Sequence, residues 1–170
     1  MSYWRVLGIG SPFGDDQLGW HLVSALESLL GTTESGTAAP FSVMALDRPG
    51  SGLIQALTGA QGVVVVDALQ HMGQTGRIHR LTVADLAQVR GCFSCHSFGV
   101  AEALALADEL DLLPEHLLIL GVEMSASALG DEVSPAVAAA VPELCVLINQ
   151  TVTEWHSHWP GLDREVKTCV

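Results

Sequence analysis

Apolar and polar positions are grouped in blocks along the chain, and the blocks switch between two periods. Short apolar runs rich in β-branched residues predict buried strands, and apolar residues spaced three and four positions apart predict amphipathic helices. The predicted strands cover residues 3–10, 41–46, 63–66, 76–83 and 117–122. The predicted helices cover residues 18–30, 51–59, 97–110 and 134–150.

The order of these elements indicates a fold class. The run Val63–Val66 predicts a strand buried on both faces, as in the middle of a parallel sheet. Strands that alternate with helices predict an α/β fold with a mostly parallel twisted sheet, flanked by helices on both faces in a three-layer α/β/α arrangement. Segment 76–83 is predicted as a hairpin-like or edge addition. We expect a single domain over 1–153 and an irregular carboxy-terminal tail over 154–170, where the periodicity is lost.

Composition excludes several classes of protein. With 170 residues, 49% apolar and 15% charged, the chain is a globular domain and not a disordered segment. Its net charge of -12 arises from 19 acidic residues against 7 basic ones. Such a surface repels phosphate backbones and anionic lipids, so neither nucleic acid nor a membrane is expected as a partner.

The sequence also favours a cytoplasmic location. Residues Met1–Arg5 lack a basic region followed by an apolar stretch, and no uninterrupted apolar run approaches the roughly 18 to 20 residues that span a bilayer. Thiols stay reduced in the cytoplasm. Cys92, Cys95, Cys145 and Cys169 are therefore expected to be free thiols, metal ligands or redox groups before structural disulfides.

Two carboxylates and one imidazole follow predicted strands. Asp16 lies in the loop after the first strand, Asp67 directly follows Val63–Val66, and His96 precedes the predicted helix at 97–110. Because parallel strands end at the same edge of a sheet, the topology would bring all three residues together. They form a plausible partial shell for a divalent transition metal, but this ligand set does not choose between nickel, zinc and other metals.

Each of these features has an alternative interpretation. The turn at Gly8–Gly10 departs from a dinucleotide fingerprint, which needs a third glycine at position 13 and no acids beside the pyrophosphate. Asp67 alone is also compatible with a turn cap. The segment Cys92–His96 (CFSCH) matches a haem attachment sequence, but that chemistry needs an export signal. A non-enzymatic metal or redox binding module using Cys92, Cys95 and His96 remains open.

Five segments in a fixed order resemble the [NiFe]-hydrogenase maturation endopeptidases. Gly8–Gly19 (GIGSPFGDDQLG) resembles the amino-terminal motif of that family, and Val65–Ala68 (VVDA) resembles its second motif. Ser94–Ser97 (SCHS) resembles the segment that carries the family histidine. Leu120–Glu123 (LGVE) and Val133–Pro135 (VSP) also match, so the likeness covers most of the predicted domain.

The resemblance implies a specific activity. Members of this family remove a short carboxy-terminal extension from the hydrogenase large-subunit precursor after nickel has been inserted. Carried over to this chain, Asp16, Asp67 and His96 would contact nickel presented by the substrate, so no tightly bound cofactor is expected. A cleft that completes its coordination only on a nickel-loaded partner binds an empty precursor less well, which makes the metal a licence for cleavage.

The chain departs from the family pattern at several positions. Ser11 replaces the usual Asn, and Met124 stands where a proline is common. Asp47–Gly52 (DRPGSG) keeps the acid and the last glycine of the family turn but loses its middle, so Asp47 is a weaker catalytic candidate. These changes suggest a divergent branch with a different precursor. The chain shows no nucleophile elbow, so either the metal polarises the scissile carbonyl or a carboxylate activates water.

Overall fold

A computed structural model of the chain describes residues 4–31, 41–70, 72–86, 99–125 and 131–158. The strands are β1 (Trp4–Gly10), β2 (Ser42–Asp47), β3 (Gly62–Leu69), β4 (Ile78–Leu81) and β5 (His116–Glu123). The helices are α1 (Leu18–Gly31), α2 (Gly52–Leu57), α3 (Val83–Leu86), α4 (Val100–Glu109), α5 (Pro135–Ala138) and α6 (Ala140–Ser157). A 3₁₀ helix, Gly14–Gln17, joins β1 to α1.

The five strands form one sheet in the order β2-β1-β3-β5-β4. The pairs β1–β2, β1–β3 and β3–β5 are parallel, whereas β4 runs antiparallel to β5 at the edge. This confirms the mostly parallel sheet and the edge position predicted for the segment that contains β4. All residues of β3 are buried because the strand lies in the centre of the sheet with helices over both faces.

Alternate residues of the central strand face two separate hydrophobic clusters. Val64 and Val66 pack with α1 and α6, and Val63 and Val65 pack with α2 and α4. The period-two alternation of a strand sends successive side chains to opposite faces. The protein is therefore a three-layer α/β/α domain, as its sequence predicts.

The carboxy-terminal helix extends beyond the predicted end of the domain at residue 153. α6 continues to Ser157, so the predicted irregular tail over 154–170 is wrong for its first residues. The reason is packing at the start of β1 and β5. The ring of Trp155 lies 5.7 Å from that of Trp4 and 5.5 Å from that of His116 (centroid distances). Residues 159–170 lie outside the described part of the chain.

The same helical stretch has the length and composition of a membrane span. Residues Pro135–Ser157 form a helical stretch of 23 residues with a mean hydropathy of 1.4 in its most apolar window. The prediction from uninterrupted apolar runs did not register it because Glu143 and Glu154 interrupt the run. Leu144 and Ile148 are fully buried in the cluster under the sheet, but only 33% of that window is buried inside the protein. One helix of this kind is weak evidence for a span.

Candidate active site

Close backbone packing fixes the loop that carries the first acid. A Cβ atom at Gly8 would lie 2.1 Å from the carbonyl oxygen of Gly19, and one at Gly10 would lie 2.3 Å from that of Asp16. Any larger residue at either position would push the loop away from β1. The amide of Ser11 donates to the same carbonyl oxygen of Asp16 at 3.2 Å. The glycines thus allow the 3₁₀ helix to settle directly on the carboxyl end of the sheet.

The two carboxylates predicted to converge do lie together. Asp16 is 7% exposed on the 3₁₀ helix, and Asp67 is 1% exposed on β3. Burial raises the pKa of Asp67 well above its ordinary value, and the nearby charge of Asp16 raises it further. The amide of Ala68 donates to Asp67 Oδ1 at 2.9 Å and opposes that increase. The site therefore holds a buried acid that resists ionisation beside a second acid.

Asp47, the weaker candidate, lies at the rim of this site. It ends β2 in register with Gly10, and its side chain is 50% exposed. Arg48 Nε donates to Asp47 Oδ1 at 2.6 Å, and the guanidinium is also influenced by the charge of Asp16. The hydrogen bond that Arg48 donates to Asp47 raises the pKa of Arg48, and the charges of Asp47 and Asp16 raise it further. Arg48, whose role is not apparent from the sequence, lies at the rim beside both carboxylates.

Asp15, the neighbour of Asp16, has a different role. It is 1% exposed, and its carboxylate accepts hydrogen bonds from the amides of Ser125 (2.7 Å) and Ser134 (2.6 Å). These amides lie on either side of segment 126–130, so Asp15 holds the two ends of the connection from β5 to α5 at the amino end of the 3₁₀ helix. The two adjacent acids therefore have different roles: Asp15 positions the chain, and Asp16 lies beside Asp67.

Glu123, at the end of β5, organises the turn that follows β3. Burial alone would raise the pKa of Glu123, but hydrogen bonds from the amides of Gln74 and Met72 and from the His79 side chain lower it to about 2. His79 Nε2 lies 2.7 Å from Glu123 Oε1. This role of His79 is not apparent from the sequence around it. The cause is the antiparallel pairing of β4 with β5, which the histidine's local sequence does not reveal.

The third predicted ligand is His96. His96 lies outside the described residues, as do Cys92 and Cys95 of the alternative redox or metal module. Within the described ranges there is no group of three or more His, Cys, Asp or Glu side chains that could hold a metal ion. Asp16 and Asp67 bring two carboxylates together there, which is fewer than such a group needs. Asp16 and Asp67 thus lie near each other as predicted, and the convergence of His96 with them stays a prediction.

Cys145 belongs to the core and not to this site. Its thiol is a free cysteine on α6, 7% exposed among the apolar residues packed under the sheet. Burial raises the pKa of this thiol, which disfavours the reactive thiolate.

An α/β/α domain with buried carboxylates at the carboxyl end of its sheet is compatible with metal-dependent or acid–base hydrolysis. Comparison with known families narrows this class. The family model described as "HycI: Hydrogenase maturation protease" matches residues 31–151, which is more than half of the chain. The chain therefore belongs to the hydrogenase maturation protease family, a family of peptidases.

Individual relatives agree with this assignment. The chain is 28% identical over 156 residues to the hydrogenase expression/formation protein HupD of Bradyrhizobium diazoefficiens, covering 88% of this chain and 78% of HupD. Its fold is similar to that of the hydrogenase maturating endopeptidase HybD from E. coli, with a TM-score of 0.72, 20% identity and coverage of 91% and 93% of the two chains. The [NiFe] hydrogenase maturation protease HybD from Thermococcus kodakarensis gives a TM-score of 0.67 at 19% identity, with coverage of 89% and 99%.

Proposed function

We propose that this protein is an endopeptidase that removes the carboxy-terminal extension of a [NiFe]-hydrogenase large-subunit precursor after nickel insertion. In this proposal Asp16, Asp67 and His96 bind the nickel that the precursor presents, and the metal is part of the substrate. Membership of the maturation protease family supports the class of reaction. The geometry at the end of β3 supports the use of a metal as the recognition signal.

The observation that carries the proposal is the buried pair Asp16 and Asp67. Burial and the charge of Asp16 both disfavour the ionised form of Asp67, so the site is electrostatically unfavourable when both acids are charged. A divalent cation reverses this balance, because metal ligands must be deprotonated and the ion neutralises their charge. A nickel-loaded precursor brings that cation, and an empty precursor does not. Binding of a nickel-loaded precursor therefore stabilises the ionised Asp16–Asp67 pair more than binding of an empty precursor does.

Two routes for hydrolysis remain within this proposal. In both routes water adds to the scissile carbonyl carbon, the C–N bond breaks, and the amide nitrogen leaves with a proton. In the first route the nickel polarises the carbonyl, and in the second route one of the two acids takes the proton from the attacking water.

The test is a cleavage assay with the large-subunit precursor in nickel-loaded and nickel-free forms, read by intact mass. We expect loss of the extension only from the loaded precursor. His96→Ala and Asp16→Asn are expected to abolish the reaction. Asp108→Asn, which removes a charge from the exposed face of α4, serves as the matched control and is expected to cleave normally. Equal cleavage of the empty precursor would refute nickel recognition, and full activity of His96→Ala would refute the ligand set.

We further propose that the reaction takes place in the cytoplasm. The buried free thiol of Cys145 suits a reducing compartment. The acidic surface, with a net charge of -12, fits a protein partner and not nucleic acid or an anionic membrane.

A further inference from the structure

The outer edge of β2 has backbone groups that no described residue satisfies. β2 is the first strand in the sheet order, and it pairs with β1 on one side. The amide of Arg48 donates to the carbonyl of Gly10 at 3.1 Å. Because the direction of backbone hydrogen bonds alternates from residue to residue along a strand, Val43 and Ala45 point their N–H and C=O groups away from β1. An exposed edge of this kind is a template for an added strand.

A groove follows the same edge. It has a volume of about 530 Å³ and lies between β2 and α2. Its walls include Met44 and Leu46 from the strand and Gln55 and Ala56 from the helix. Met44 is 40% exposed, so its side chain is accessible from this groove. The edge thus offers main-chain hydrogen bonds to an added strand, and the groove could receive every second side chain of that strand.

The two ends of this edge differ in charge. At the carboxyl end, β2 stops at Asp47, in register with Gly10, whose loop carries Asp16. At the amino end, the guanidinium of Arg5 is held by the carbonyl oxygens of Ala56 (2.8 Å) and Thr58 (2.9 Å). The strand between them spans on the order of 17 Å at about 3.3 Å per residue. A peptide lying on β2 would therefore connect the candidate site to a fixed positive charge.

We propose that the precursor segment on the carboxyl side of the scissile bond binds as an added strand, antiparallel to β2, along this edge. The inference rests on the proposed function. The direction follows from the site: a chain that leaves the carboxyl end of β2 and runs toward Arg5 runs against the direction of β2. This orientation also brings the negatively charged end of the extension toward the guanidinium. Recognition through the main chain makes few demands on the sequence of the segment that is removed.

The test uses two substitutions at one exposed position. Ala45→Pro removes the outward amide without removing a hydrogen bond to β1, and proline is tolerated on an edge strand in this orientation. Ala45→Val keeps the amide and is the matched control. We expect Ala45→Pro to lower kcat/KM for the nickel-loaded precursor about tenfold, mainly through KM, which is the effect of one lost peptide hydrogen bond with its steric penalty. Ala45→Val is expected to cleave like the parent.

The outcomes separate the two proposals. If the parent cleaves the loaded precursor and Ala45→Pro cleaves it equally well, the added strand is refuted and the proposed function stands. If the parent does not cleave the loaded precursor, both proposals fall.

A second measurement covers the case in which Ala45→Pro does not fold. In the parent protein, a synthetic peptide with the sequence of the extension should slow hydrogen exchange at the amides of Val43 and Ala45. Unchanged exchange refutes the added strand. Slow exchange that depends on protein concentration without peptide would assign the edge to a second copy of this chain, and would also overturn the proposed occupant.

Discussion

Replacing Asp67 by Asn should stabilise the protein near neutral pH while abolishing cleavage. Asn has nearly the same shape as Asp and retains an oxygen that can accept from the amide of Ala68. It removes the ionisable group that burial and Asp16 make unfavourable. The predicted combination of higher stability and no activity distinguishes loss of a functional group from loss of the fold.

The sign of the pH dependence follows from linkage. The pKa of Asp67 is higher in the folded than in the unfolded chain, so folding favours its protonated form. The corresponding stability is fully present below the unfolded pKa and is lost as pH rises toward the folded pKa. The parent should therefore lose stability, relative to Asp67→Asn, between pH 4 and pH 7.

The size of the effect has an upper limit. One pKa unit corresponds to about 1.4 kcal/mol, and roughly three units separate pH 7 from an ordinary aspartate pKa. The pH-dependent gain at pH 7 therefore cannot exceed about 4 kcal/mol. The NH2 group that Asn introduces costs about 1–3 kcal/mol at every pH if it is buried without an acceptor. This cost offsets part of the pH-dependent gain in stability. Each remaining 1 kcal/mol is expected to raise Tm by about 2–4 °C for a domain of this size.

The assay is urea denaturation of parent and variant at several values between pH 4 and pH 7, followed by tryptophan fluorescence. Buried Trp4, on β1, makes this signal sensitive to loss of the sheet. Groups that titrate alike in both proteins cancel in the difference. The double variant Asp16→Asn/Asp67→Asn, compared with Asp16→Asn alone, should show a smaller pH-dependent gain. A stability difference that stays constant with pH would refute the electrostatic account of the site.

Three further predictions concern the surroundings of the site. Asp15→Ala should lower the free energy of unfolding by about 1–3 kcal/mol in urea denaturation, since it removes the buried carboxylate that accepts from the partly buried amides of Ser125 and Ser134. An unchanged midpoint would contradict this role. Glu123→Gln should destabilise the protein above pH 5, because a carboxylate with a lowered pKa stabilises the fold fully only above its unfolded pKa of about 4.5. The difference in free energy of unfolding between parent and variant should shrink as pH falls from about 4.5 toward 2. A difference that is equal at pH 6 and pH 2.5 would count against this. Cys92→Ser/Cys95→Ser should cleave the nickel-loaded precursor like the parent, and loss of cleavage together with loss of a redox response would favour the alternative module.

The central part of the fold could be predicted because local sequence determines it. Four consecutive valines specify a strand that must be covered on both faces, and the alternation of strands with helices then leaves few topologies. The end of α6 was missed for a physical reason. The position of Trp155 depends on Trp4, at the opposite end of the chain, and not on its neighbours in sequence.

The division of labour between Asp15 and Asp16 could not be predicted from the residues around them. The partners of Asp15 lie 110 and 119 positions away in sequence, and the partner of Glu123 on β4 lies 44 positions away. Two adjacent acids in one turn look equivalent in a sequence. They become distinct only when β5 and α5 bring two backbone amides to one of them.

This division has a consequence for the chemistry of the site. Asp15 has its charge satisfied by two short hydrogen bonds from backbone amides, whereas Asp67 accepts one amide and faces the charge of Asp16. A satisfied carboxylate gains little from a cation, and a carboxylate held against burial and a like charge gains much. Asp15, Asp16 and Asp67 are all buried at this end of the sheet. Since Asp15 already accepts two hydrogen bonds, Asp16 and Asp67 are the pair that a nickel-bearing partner would stabilise. The selectivity for a loaded precursor would then arise because Asp67 accepts fewer backbone hydrogen bonds than Asp15. Added metal ligands would not be its only source.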